Sequence, residues 1–156
     1  ASRQQLEKDE SMVARAVADG AEVVYGGKRA NPESLPDGFF FSPTILTKVE
    51  PTSFIAQNEV FGPVLSILPF DDEEEALAIA NGTPFGLAAY LCSSDPATIA
   101  HVSRGLQSGM VGINTGLIST AHAPFGGVKM SGVGKEGSHH GIEEYLDRKY
   151  ICHAGL

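Results

Sequence analysis

Cysteine is scarce in this sequence: two residues in 156, Cys92 and Cys152, far apart along the chain. That spacing excludes the close pairs of a metal or redox motif. So few thiols fit a reducing cytosol or organelle matrix, and the cytoplasm is the expected location, although two could in principle form one disulfide. Both are read as buried structural thiols. Long hydrophobic runs are also missing. No stretch approaches the roughly 20 apolar residues that cross a bilayer, and the N-terminus lacks a basic-then-apolar signal pattern. Positive charge is in deficit, with 11 Lys and Arg against 19 Asp and Glu and a net charge of −8. This balance disfavours nucleic acid or an anionic membrane as the main partner.

What is present is ordinary for a globular chain: 42% hydrophobic and 19% charged residues, in a length able to bury one sizeable core. Part of the acidic excess is local, in Asp71-Asp72-Glu73-Glu74-Glu75. A solvated helix start accounts for that run better than a metal site.

The elements alternate in an α/β manner. Ser2 and Gln5 predict a capping box for a helix reaching Ala18, with Leu6, Val13 and Val17 on its apolar side and Gly20 ending it. Glu22 to Tyr25 reads as a short strand, residues 28–38 as a surface loop, and Phe39 to Phe41 and Thr44 to Leu46 as extended segments. Val64 to Leu68 is a nearly continuous apolar run, the pattern of a buried parallel strand. Asp71 or Asp72 caps a helix that stops near Asn81-Gly82, and its glutamates suit the positive N-terminal end. A strand from Ala88 to Cys92 follows, then Asp95 as N-cap, Pro96 at the first helical position, and a helix to about Leu106. Gly109 to Ile113 is again strand-like. This order predicts right-handed parallel crossovers.

From Thr115 to Ser138 the chain is dominated by Gly, Ser, Pro and Ala, unusual for so long a segment unless it has a function. Ser138 is placed to cap a short helix, and Tyr145 to Ile151 alternates like an edge strand. The five histidines form no convincing metal set. His139 and His140 are adjacent and expected to diverge on a helix. Lys129 and Lys135 lack the helix start that a phosphate loop needs. No metal is expected.

Two segments carry a resemblance. Asn58-Glu59-Val60-Phe61-Gly62-Pro63 is one; Pro124-Phe125-Gly126-Gly127-Val128-Lys129-Met130-Ser131-Gly132, continuing to Gly134-Lys135-Glu136-Gly137, is the other. With residues 81–88 and Gly112-Ile113-Asn114 in the same order, they identify the sequence as similar to the C-terminal portion of aldehyde dehydrogenases. Residues 114–119 and 145–152 are similar to the succinate-semialdehyde group of that family; Lys135 and His139-His140 depart from its common pattern.

The resemblance implies part of the family's α/β catalytic domain over residues 1–143, including a substrate loop, and an oligomerisation tail over 144–156. It implies NAD or NADP as cofactor and a small aldehyde as substrate. Homo-oligomers, dimers or pairs of dimers, would form through the C-terminal strand, since exposed edges invite pairing.

Aldehyde oxidation requires a nucleophile, a hydride acceptor and a base for water. In the family these roles fall to a cysteine, the cofactor and a glutamate, and the cysteine and glutamate lie upstream of the portion this chain resembles. Neither Cys92 nor Cys152 matches the nucleophile's motif, so no residue here is assigned to the bond-breaking chemistry. Glu59 is implied to hold the nicotinamide-side ribose, because a carboxylate accepts from two hydroxyls at once. Phe61 is implied to pack at the nicotinamide end. On the residues alone, Glu59 also reads as a loop glutamate and Phe61 as a core aromatic. Asn58 is read as a loop residue. Ser119 is implied to line the substrate channel, where its small hydroxyl leaves room for a carboxylate and donates to it. Phe125 is implied to form channel wall. A solvated loop serine is the bland alternative for Ser119, and an oligomerisation or binding module that lost the chemistry is the rival for the whole chain. Glutarate semialdehyde or an apolar aldehyde is the rival substrate.

Overall fold

A computed structural model describes residues 2–33, 35 and 37–155. The chain forms two compact units, Ala1–Glu75 and Ala76–Leu156, and the division falls inside one helix.

The first unit opens with helix α1 (Arg3–Ala18). Ser2 caps it as expected, its hydroxyl accepting from Gln5 N at 3.1 Å. The Gln5 amide does not complete the box; it turns instead toward Asp9 and Val60. The helix stops at Asp19, and Gly20 follows at φ +107°. Its buried stripe is Leu6, Asp9, Met12, Val13 and Ala16. Val17, expected on that face, is exposed, because the stripe drifts at 3.6 residues per turn and Ala16 takes the last inward position.

Strands β1 (Glu22–Tyr25), β4 (Thr44–Thr47) and β5 (Val64–Ser66) form a sheet in the order β1-β4-β5. β1 runs antiparallel to β4, with a bulge between Val23 and Tyr25; β5 runs parallel to β4 with Thr44 opposite Val64. Short β2 (Arg29–Ala30) and β3 (Phe40–Phe41) pair antiparallel. Arg29 clamps β2 to α1 through a forked pair with Glu10, Nη2 to Oε2 at 2.7 Å. This contact holds the Glu10 carboxyl below its ordinary range. The core joins Met12, Val13 and Ala16 of α1 to Leu46, Val49, Ile55 and Val60, with helix α2 (Phe54–Gln57) closing one side.

The expectation of a buried strand at 64–68 needs correction. β5 is an edge strand paired to β4, and Leu65 and Ile67 are exposed. The central, buried strand is β4.

Helix α3 (Glu73–Asn81) spans the division. Asp72 caps it, accepting from Glu75 N at 2.8 Å, while the Glu75 carboxylate accepts from Asp71 N at 2.7 Å. In the second unit, β6 (Ala88–Leu91) and β7 (Met110–Ile113) pair parallel across helix α4 (Pro96–Gly105). This is the strand–helix–strand crossover read from the sequence. Asp95 caps α4 through Thr98 N at 2.8 Å, with Pro96 at its start. Asn81 joins the two helix ends, donating to Gly105 O and accepting from Gln107 N.

Three further expectations fail in this unit. Cys92 and Cys152 are exposed free thiols, not buried ones. Cys92 follows the last residue of β6, and Cys152 lies in a segment with no packed layer over it. His139 and His140 do not diverge: their rings lie 3.9 Å apart, since the segment His139–Tyr145 is a 3-10 helix and not an α-helix. Residues 146–155 form no strand, because an extended edge needs a partner strand to form a ladder.

Candidate functional site

The turn that carries Glu59 and Phe61 is built by what flanks it. Asn58 ends α2, its side chain donating to Phe54 O at 2.9 Å. Val60 drives into the core while Glu59 and Phe61 on either side remain in solvent. Both candidate side chains are therefore exposed on either side of one anchored residue. Phe61 is 78% exposed and adopts φ +57°. That conformation is uncommon for a bulky side chain and persists only where the surroundings hold it. A cavity of about 240 Å³ lies beside it, lined by Leu6, Asp9, Phe39, Phe41 and Pro63 among others. Glu59 is not among its lining residues.

Three residues of α1 grip this turn, and the sequence reading missed all three. Lys8 Nζ donates to Glu59 O at 3.2 Å. Gln5 Nε2 donates both to Asp9 Oδ1 at 2.7 Å and to Val60 O at 3.4 Å. The Asp9 carboxyl group, 3% exposed, lies against Gly62. A signal existed: an acidic residue on the 6, 9, 13, 16 stripe of an amphipathic helix, four residues after a glutamine that can reach it.

The second pair of candidates, Ser119 and Phe125, lies in the glycine-rich loop that leaves β7. Asn114, at φ +54°, starts the loop and bonds Ser93 through both ends of its amide. Beyond it, Phe125 and Glu136 exchange two backbone bonds of 2.7 Å, and Ser138 N donates to Ala121 O. The chain can fold back this tightly because Gly109 has no side chain: a Cβ there would overlap the Gly126 carbonyl. Lys135 and Lys129 are spent on backbone carbonyls, Lys135 on Gly127 and Lys129 on Asn81 and Thr83. The structure therefore brings Ser119 and Phe125 into one tied loop. Ser119 is exposed, and Phe125 lines a cleft of about 640 Å³ with Leu87 and the 126–145 segment. Ser119 is not part of that lining. Ser138 caps the 3-10 helix through His140 N at 3.2 Å.

An α/β chain with an anchored Glu-Val-Phe-Gly-Pro turn and a cross-tied glycine loop has a counterpart among known proteins. The profile of the aldehyde dehydrogenase family matches residues 1–151, and the chain belongs to that family. Among its relatives, the mitochondrial succinate-semialdehyde dehydrogenase of Rattus norvegicus is 52% identical over 151 residues, 97% of this chain and 28% of that protein. The glutarate-semialdehyde dehydrogenase of Pseudomonas aeruginosa is 50% identical over 149 residues, 96% of this chain and 30% of that protein. A crystal structure of betaine aldehyde dehydrogenase from Staphylococcus aureus in complex with NAD+ superposes with a TM-score of 0.91 at 41% identity, over 96% of this chain and 30% of that one. The chain thus spans under a third of the length of the relatives it matches.

Proposed function

We propose that this chain is the C-terminal part of an NAD- or NADP-dependent succinate-semialdehyde dehydrogenase, which oxidises succinate semialdehyde to succinate through a cysteine thioester. The observation that carries the reading is the Glu59–Phe61 turn: an exposed carboxylate and an exposed aromatic ring project from a backbone pinned by buried Val60. Those residues fit a dinucleotide. Glu59 can accept from both hydroxyls of a ribose, and Phe61 offers an apolar face to a nicotinamide. The cofactor, when bound, supplies the hydride acceptor. The residues of this chain bind and orient it; they do not break the aldehyde C–H bond.

The nucleophilic cysteine and the glutamate base are assigned outside this chain, so the isolated chain is expected to be inactive. The residue that senses a 2′-phosphate, and so chooses between NAD and NADP, is likewise assigned to a dinucleotide domain outside it. Ser119 is the substrate-side candidate: its hydroxyl donates one hydrogen bond to the distal carboxylate of the semialdehyde, and arginines from elsewhere supply the charge. Phe125 contributes wall. A homo-oligomer formed through residues 144–156 and a cytoplasmic location belong to the same proposal.

The 50% identity to a glutarate-semialdehyde dehydrogenase favours a second reading, in which the acid substrate is one methylene longer. The experiment that separates them measures NAD(P)H formation by the full-length protein with succinate semialdehyde, glutarate semialdehyde and butanal. A kcat/KM highest for succinate semialdehyde supports the first reading. A preference for the longer acid supports the second, and a preference for butanal removes both.

A further inference from the structure

Helix α1 meets the Glu59–Phe61 turn through polar contacts as well as through packing. Gln5, Lys8 and Asp9 share one face of the helix, and each meets a different part of the turn: Lys8 the carbonyl of Glu59, Gln5 the carbonyl of Val60, Asp9 the backbone of Gly62. The residue between the second and third contacts is Phe61, whose backbone is in the left-handed region. A strained, exposed aromatic needs its neighbours fixed on both sides. Asp9 is the pivot of that arrangement. Its carboxyl group is buried, it accepts from Gln5 and so directs that amide toward Val60, and it occupies the space that a side chain at position 62 would need. A buried carboxyl group on an otherwise apolar stripe costs stability unless something in the fold uses it.

We infer that Asp9 is a positioning residue for the cofactor: through Gln5 and Gly62 it sets the backbone of the turn that presents Glu59 and Phe61. The inference rests on the cofactor reading of that turn. It assigns Asp9 no contact with the dinucleotide, so its effect travels through backbone placement. Displacement of a binding group by a fraction of an ångström is sufficient to weaken its hydrogen bonds.

The test uses the full-length protein that carries this chain, with cofactor binding followed by calorimetry in the absence of aldehyde, alongside KM values for cofactor and aldehyde and the melting temperature. Asp9→Leu removes the acceptor for Gln5, and about a tenfold rise in the cofactor dissociation constant is expected. The aldehyde KM should hold, and the melting temperature should not fall. Asp9→Asn keeps an oxygen facing Gln5 and is expected to stay within about twofold of wild type, the scale of a hydrogen bond retained. Gly62→Ala should weaken cofactor binding by the clash with Asp9, and the double variant Gly62→Ala/Asp9→Ala should bind more tightly than Gly62→Ala alone. Glu59→Gln is the reference for the reading itself. If Glu59→Gln weakens cofactor binding but Asp9→Leu does not, the inference is overturned and the reading stands. If Glu59→Gln has no effect, both fall. If Asp9→Leu raises both KM values equally together with a lower melting temperature, Asp9 is a stability residue and the inference is overturned.

Discussion

Asn114 holds Ser93 from both sides: its Oδ1 accepts from Ser93 N at 3.0 Å, and its Nδ2 donates to Ser93 O at 2.8 Å. One side chain thereby imitates a strand partner just past the ends of β6 and β7. The contact fixes where the glycine-rich loop departs, and so where Ser119 starts its path.

Asn114 performs two tasks that substitution can separate. Asparagine tolerates its φ of +54°, and glycine would tolerate it equally well. Asn114→Gly therefore keeps the backbone and loses both hydrogen bonds, at an expected cost of about 1–2 kcal/mol. Asn114→Asp keeps the acceptor but sets a carboxylate against the Ser93 carbonyl, and should cost at least as much. Thermal denaturation of both variants checks this. A wild-type melting temperature for Asn114→Asp would show that the paired geometry carries no stability.

The cap of α4 gives a pH dependence of definite sign. Asp95 titrates below its ordinary range because the Thr98 backbone N–H, then the Thr98 side chain, donate to its carboxylate. A carboxyl group lowered in the folded state stabilises the fold fully above its unfolded value, and that contribution is lost as pH falls through the folded value. Asp95→Asn retains a capping oxygen without the charge. Its melting temperature should therefore lose less than wild type between neutral and strongly acidic pH. Parallel acid limbs for the two proteins would count against the assignment.

The chain by itself should associate. Tyr145, Tyr150 and Ile151 in the tail, with Met130 and Val133 in the loop, are exposed, Val133 to 99%. Apolar surface of this kind marks an interface or an aggregation hazard. Sedimentation velocity on the 156-residue chain is expected to show self-association, and a soluble monomer that unfolds cooperatively would contradict it. In the full-length protein, Ile151→Lys should shift the assembly to a smaller species if the tail pairs subunits.

Local chemistry was readable in the sequence, and partnership across distance was not. Ser2, Asp95 and Ser138 announced their helices because a cap is decided by residues three or fewer apart. The run from Val64 to Leu68 announced a parallel strand but not its place. Whether a strand is central or at an edge depends on what lies beside it, and here β4 took the centre. The same blindness hid the exposure of Cys92 and Cys152. At the candidate site, Glu59, Phe61, Ser119 and Phe125 stood out through motif resemblance. Asp9 did not, because its partner Gly62 is more than fifty residues away and a glycine advertises nothing about what fills its missing side chain.

Ser119→Ala in the full-length protein, with kcat/KM taken for succinate semialdehyde and for butanal before and after the change, tests the proposal that the Ser119 hydroxyl donates to the carboxylate of a semialdehyde. A loss confined to the acid substrate is expected, about 1–2 kcal/mol of transition-state stabilisation. Equal losses on both substrates, or a wild type that prefers butanal, would contradict it.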